Sequence, residues 1–360
     1  MFTTRGLWQD MLSTSESMAP GFKTRDHGDP PAAYRHATRH LSCDRVRDCG
    51  ETVVGKAALL FPGQGAQAVG MGRDVYEKFP AAREVFDRAD GILGFGLSSL
   101  CFEGPEAKLN ATDISQPAIF VASAALFEVW RRDGGGRGRF EAAAGLSLGE
   151  YTALWAAGAF GFDEAVRLTR RRGQLMQAAA DAQPSGMVGI MGLDEEQVKK
   201  ICEAASAAGI ISPANFNCPG QTVVSGTLAA CAQALELAEA AGGRAVELKV
   251  AGAFHSPLMA SAAEGLKAEL ARTEIALPRV PVLANVTGEY HQRDAESVRA
   301  LLVRQLTSCT LWQKCMERLL ADGFDRFYEI GPGRVLKGLM KKISRQAEVV
   351  SVNDAAGALG

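Results

Sequence analysis

Between Gly186 and Val250 the chain alternates between strand-like and helix-like patterning. Met187, Val188, Ile190 and Met191 mark a strand over 186–192, followed by a helix over 194–208, strands over 210–216 and 222–225, a helix over 228–241 and a strand over 244–250. Strand, helix, strand, strand, helix, strand is the order of a ferredoxin-like split βαβ unit. About 65 residues in that order can form an independent unit, so the flanking sequence must make something else. Ala57–Phe61 reads as a buried strand before it, and 280–286, 324–330 and 349–352 read as strands after it. The expected organisation is an α/β protein whose larger domain, residues 55–183 and 252–360, is interrupted by a smaller one at 184–251.

Composition limits the chemistry. A chain of 360 residues, 47% hydrophobic and 22% charged, can bury a large core. Its net charge of −2 gives no reason to expect nucleic acid or an anionic membrane as partner. No apolar run approaches the roughly 18 residues of a spanning helix. The eight cysteines, Cys43, Cys49, Cys101, Cys202, Cys218, Cys231, Cys309 and Cys315, contain no Cys-x-x-Cys pair. Neither a zinc site nor a disulfide framework is suggested, and no cluster has metal-ligand spacing. Residues 1–54 lack sustained apolar periodicity and read as an N-terminal extension. Their arginines and hydroxyl residues fit an organellar transit peptide, although Asp10, Glu16, Asp26, Asp29, Asp44 and Asp48 depart from its usual acid-poor character. Import is expected, against a tail with no address.

Gly145-Leu146-Ser147-Leu148-Gly149 has the Gly-x-Ser-x-Gly form of a nucleophile elbow, with a helix expected from Glu150 onward. Ser147 is therefore the candidate nucleophile, although the strand expected before it, 140–144, is alanine-rich. The loop Gly63-Gln64-Gly65-Ala66-Gln67-Ala68 matches a dinucleotide fingerprint. Residues 74–91 read as helix, with no following strand to carry the ribose-binding acid, so the nucleotide reading lacks its context. A helix over 116–132 suits packing beneath the elbow. Another, over 163–180, is one that Asp163 can cap, and it carries Arg170-Arg171-Arg172. Helical residues lie about 100° apart, so at most one or two of these arginines can face a site. Of the five histidines, His27, His36 and His40 lie in the extension and His291 in a polar turn where a solvated ring is expected. His255 lies in the apolar, constrained run Ala253-Phe254-His255-Ser256-Pro257 and is the candidate base.

Six motifs then stand in order: Phe61-Pro62-Gly63-Gln64-Gly65, the elbow with Glu150, Arg172-Gly173, Asn215-Phe216-Asn217-Cys218-Pro219-Gly220-Gln221, Gly252-Ala253-Phe254-His255-Ser256 and Glu329-Ile330-Gly331-Pro332-Gly333. Together they resemble the malonyl-CoA:acyl carrier protein transacylases of type II fatty acid synthesis, over most of the chain from Lys56 onward. The resemblance implies an α/β-hydrolase-like large domain with the ferredoxin-like domain inserted. It implies that Ser147 attacks the thioester with His255 as base, giving a malonyl-serine that passes to the phosphopantetheine thiol of acyl carrier protein. Backbone amides of Gln64 and Leu148 would form the oxyanion hole. Arg172 would pair with the malonyl carboxylate, Phe254 would crowd the acyl pocket, and the backbone carbonyl of Gln305 would orient His255, leaving the Gln305 side chain inert. CoA and phosphopantetheine would enter as parts of substrates, with no bound cofactor.

The expected partners are malonyl-CoA and an acidic, transiently bound carrier protein. Lys337, Lys341, Lys342 and Arg345 are candidate docking residues, and a monomer is expected. Leu146, where many bacterial members carry histidine, favours a plastid, with mitochondrion or cytoplasm as alternatives. Three other readings remain: a free-standing polyketide-type acyltransferase, a serine thioesterase or hydrolase with no use for Arg172, and a non-catalytic carrier-binding scaffold.

Overall fold

The computed structural model describes residues 55–134 and 139–360; the extension, with Cys43, Cys49 and three of the histidines, lies outside the described residues. The large sheet contains β1 (Lys56–Phe61) and β2 (Ala142–Gly145) from the first half of the chain. After these come β3 (Ser185–Met191), β4 (Ile211–Cys218), β5 (Gln221–Thr227) and β6 (Arg244–Glu247). A two-residue pair, β7 (Leu283–Ala284) and β8 (Glu289–Tyr290), precedes β9 (Phe324–Ile330) and β10 (Glu348–Val352).

The large sheet has the order β10-β9-β1-β2, with parallel pairing throughout. Parallel strands covered on both faces read as continuous apolar runs, and β1 is one: Leu59 and Phe61 enter one core while Ala58 and Leu60 enter another. The alanines of β2 divide in the same way, Ala143 to the first and Ala142 and Ala144 to the second. The long helix Thr112–Asp133 is buried along most of its length.

The smaller sheet has the order β4-β5-β3-β6, all antiparallel. Its helices, Glu195–Ala205 and Leu228–Ala240, share a separate core with Val188, Ile190 and Val224. That order is the ferredoxin-like arrangement expected from the segment pattern. The helix Glu195–Ala205 opens on a capping box between Asp194 and Gln197.

Several expected elements differ in the structure. The helix expected over 74–91 is two, Arg73–Lys78 and Pro80–Leu93, because Phe79 takes an extended conformation ahead of proline. Asp163 does not cap its helix; Phe162–Ala182 starts after Gly161, and Asp163 instead pairs with Arg88 at 2.7 Å. The strand expected over 280–286 shrinks to β7. Pro281 has no amide to continue the ladder, although its carbonyl accepts from Ala143 and Val282 bridges to the edge of β2. β6 ends at Glu247, and Leu248 and Val250 go on to line the cavity beside Ser147.

Candidate active site

At the C-terminal end of β2 the chain turns directly into the helix Leu148–Ala156. Ser147 occupies the turn with φ 53° and ψ −101°, a left-handed conformation costly for a residue with a side chain. The elbow glycines serve a different need. A Cβ on Gly145 would lie 1.9 Å from the Gly149 carbonyl carbon, and one on Gly149 would lie 2.1 Å from the Phe61 carbonyl oxygen. They are required by close backbone approach, and the strain falls on the serine itself.

His255 is the other non-glycine residue at positive φ among the described residues, at 59°. Its Nδ1 lies 2.8 Å from the Gln305 backbone carbonyl, which fixes the proton on Nδ1 and leaves Nε2 as acceptor. The Ser147 hydroxyl donates to that Nε2 at 2.8 Å. His255 is buried, and desolvation, with the nearby Arg172 charge second, pushes its pKa down to about 4 against the opposing Gln305 bond. A neutral imidazole with a free lone pair is what a general base needs.

Of the three arginines, only Arg172 reaches the serine. It is 1% exposed, and the helix carrying it lies so close to Thr112–Asp133 that a Cβ at Gly173 would meet the Thr112 carbonyl oxygen at 2.6 Å. Arg172 donates through Nη2 to Ser147 Oγ at 3.1 Å and to Gln305 Oε1 at 2.9 Å, and through Nη1 to Gln116 Oε1 at 2.7 Å. Its guanidinium also lies over the Tyr151 ring, 5.1 Å from the centroid. Burial works to lower its pKa. Arg170 turns away to Asp113 and Arg171 to Glu269.

A cavity opens onto Ser147 and His255, lined also by Gln64 and Phe254 from the large domain and by Met187 and Asn215 from the small sheet. Leu148 is the first residue of the elbow helix, where amides have no intrahelical acceptor. Its side chain is buried in the core.

Two expectations are overturned. The Gln305 side chain is not inert: it accepts from Arg172 and donates from Nε2 to Ser147 O at 3.0 Å and to Glu150 Oε2 at 2.6 Å. His291 is not solvated; it is 6% exposed and donates from Nε2 to Glu150 Oε1 at 2.8 Å. The sequence reading also missed Asn285, whose Oδ1 accepts from the strained Ser147 amide at 2.6 Å while its Nδ2 donates to Gly145 O at 2.8 Å. A lone amide side chain in Leu283-Ala284-Asn285-Val286 was the available signal. Among the described residues no group of three His, Cys, Asp or Glu side chains is placed to hold a metal, and no helix is long and apolar enough to cross a membrane.

Comparison with known proteins gives consistent findings. The family described as acyl transferase domain matches residues 58–360. Malonyl CoA-acyl carrier protein transacylase of Bacillus subtilis strain 168 is 42% identical over 301 residues, which is 83% of this chain and 94% of that one. The solved malonyl CoA-acyl carrier protein transacylase of Coxiella burnetii superposes with TM-score 0.82 at 37% identity, covering 85% of this chain and 96% of its own. A malonyl-transacylase solved in complex with its type II polyketide acyl-carrier protein gives TM-score 0.81 at 40% identity, covering 84% and 98%.

Proposed function

The chain belongs to the acyl transferase domain family, among its malonyl-CoA:acyl carrier protein transacylases, and from that premise we propose how its residues divide the work. It transfers malonyl groups from malonyl-CoA to acyl carrier protein for fatty acid synthesis. Ser147 Oγ attacks the thioester carbonyl as His255 Nε2 takes its proton, and the imidazolium returns that proton to the departing CoA sulfur. His255 then deprotonates the phosphopantetheine thiol, which attacks the malonyl-serine ester and frees Ser147. Backbone amides of Gln64 and Leu148 stabilise the tetrahedral oxyanion, each worth about 10²–10³ in rate. Arg172 takes the malonyl carboxylate, and Phe254 walls the acyl pocket.

The observation that carries this reading is Ser147 Oγ held between His255 Nε2 and a buried guanidinium. An esterase or thioesterase for neutral acyl groups gains nothing from burying that cation. Here a carboxylate supplies the charge that Arg172 lacks among its hydrogen-bond partners, and its buried Nε has none among the described residues. The test is incubation with malonyl-CoA and holo-carrier protein. Malonyl-carrier formed through a Ser147 adduct is the expected result, whereas steady release of free malonate without transfer would contradict it.

We further propose that the carrier docks on the exposed basic side of the helix Val335–Ile343 and the turn after it, through Lys337, Lys341, Lys342 and Arg345. Raised salt should then slow carrier transfer more than acylation by CoA; equal sensitivity would count against this surface. The enzyme is proposed to act as a monomer without bound cofactor. Residues 1–54 are proposed to direct it to a plastid, on their Arg, Ser and Thr content and on Leu146. Fusing residues 1–54 to a fluorescent protein tests this, and mitochondrial or cytoplasmic signal would refute it.

A further inference from the structure

We infer that Glu150, which lines no part of the cavity, is the positioning residue that sets Arg172 and thereby the preference for carboxylate-bearing acyl groups; this rests on the transacylase reading above. Glu150 is fully buried beside the elbow, and its three hydrogen-bond contacts are all as acceptor: from His291 Nε2 at 2.8 Å, from the Asn285 amide at 3.1 Å and from Gln305 Nε2 at 2.6 Å. A carboxylate has no donor, so it dictates which end of the Gln305 carboxamide faces it. The NH₂ end must point to Glu150, and the carbonyl end must therefore point to Arg172, where it accepts at 2.9 Å. Inverted, the same side chain would aim N–H groups at a guanidinium. Gln305 also holds His255 through its backbone carbonyl, so one residue carries the orientation to both.

The carboxamide spacer has a functional reason. A buried guanidinium needs negative charge nearby, yet a carboxylate bonded directly to Arg172 would compete with the substrate's own. Placing Glu150 one carboxamide away supplies the charge and leaves the guanidinium open to the acyl carboxylate. Gln116, Ser147 and the Tyr151 ring, the other groups that Arg172 contacts, are neutral.

The experiment compares single-turnover acylation of Ser147 by malonyl-CoA and acetyl-CoA in wild type, Glu150→Ala, Glu150→Gln and the swap Glu150→Gln with Gln305→Glu, with melting temperatures measured alongside. In Glu150→Ala, malonyl acylation should fall about 10- to 100-fold, the range for losing a hydrogen bond to a charged group, while acetyl acylation falls no more than a few-fold. Glu150→Gln should recover part of the preference, since its amide oxygen can take the same acceptor position and keep the Gln305 carboxamide oriented, but it does not supply the charge. The swap keeps the side-chain volume and puts a carboxylate directly on Arg172, so malonyl KM should rise about tenfold or more relative to acetyl, over and above the loss both donors share because Glu at 305 cannot donate to Ser147 O. Equal losses for both donors at unchanged melting temperature, a Glu150→Gln variant no better than Ala, or a swap that keeps wild-type preference would each overturn the inference. If Glu150→Ala does not fold, the swap decides. No malonyl adduct on wild-type Ser147 would instead overturn the transacylase reading.

Discussion

The two sheets contribute unequally to the site. The antiparallel sheet has its own core and, among the described residues, no non-glycine residue at positive φ, and it gives the cavity only wall residues such as Met187 and Asn215. The parallel sheet ends in strained loops, and Ser147 and His255, with the residues that fix them, come from segments packed around it. Shape and strain are segregated: one sheet shapes the acyl pocket, and the other bears the backbone strain that aims the nucleophile and base.

That division can be broken by substitution, and the largest effect is expected at the elbow. Ser147→Ala should abolish acylation, with a fall on the order of 10³ or more in turnover; residual adduct by intact mass spectrometry would place the nucleophile elsewhere. Gly149→Ala should come next. Its Cβ would meet Phe61 backbone at 2.1 Å, so stability should drop by about 3 kcal/mol or more in denaturant unfolding, with activity lost alongside. A wild-type melting curve would show that the close approach of β1 and the elbow helix is not required.

The pH dependence sharpens the comparison further. His255 is held neutral by burial down to about 4, whereas an unfolded histidine protonates near 6.5. The unfolded state thus binds the proton first, so this histidine's contribution to stability is fully present above about 6.5 and is lost as pH falls toward 4. Acylation should likewise keep its base well below pH 6; an acid limb near 6.5 in kcat/KM for free enzyme would contradict the assigned burial. The smallest functional effect is expected in the antiparallel sheet. Met187→Ala should cost about 2–5 kcal/mol of stability but change kcat/KM only a few-fold, and a hundredfold loss would mean that this sheet does more than line the pocket.

Legibility in the sequence followed the same division. The smaller sheet could be read from local pattern because alternating strand-like and helix-like segments are short-range signals. The elbow could be read as a pattern, and that pattern placed a strand over 140–144 that composition alone did not support: Ala142–Gly145 has poor strand propensity and is held by parallel pairing with β1. The supporting polar residues were hidden because their burial is tertiary. Glu150, Asn285, His291 and the Gln305 side chain are separated by up to 155 positions and are polar in ways that read locally as surface. Arg172 stood out from its triplet only through the motif-level resemblance, and in the structure it is the one that the helix turns toward Ser147.

The most direct test of the account is the ratio of malonyl to acetyl adduct on Ser147, mapped to the peptide, in wild type and in Arg172→Ala. Loss of a buried charge-assisted contact predicts that the ratio falls roughly 10- to 100-fold in the variant, mainly through slower malonyl labelling. An unchanged ratio, with Ser147 still acylated, would contradict the assignment of the buried guanidinium to the substrate carboxylate.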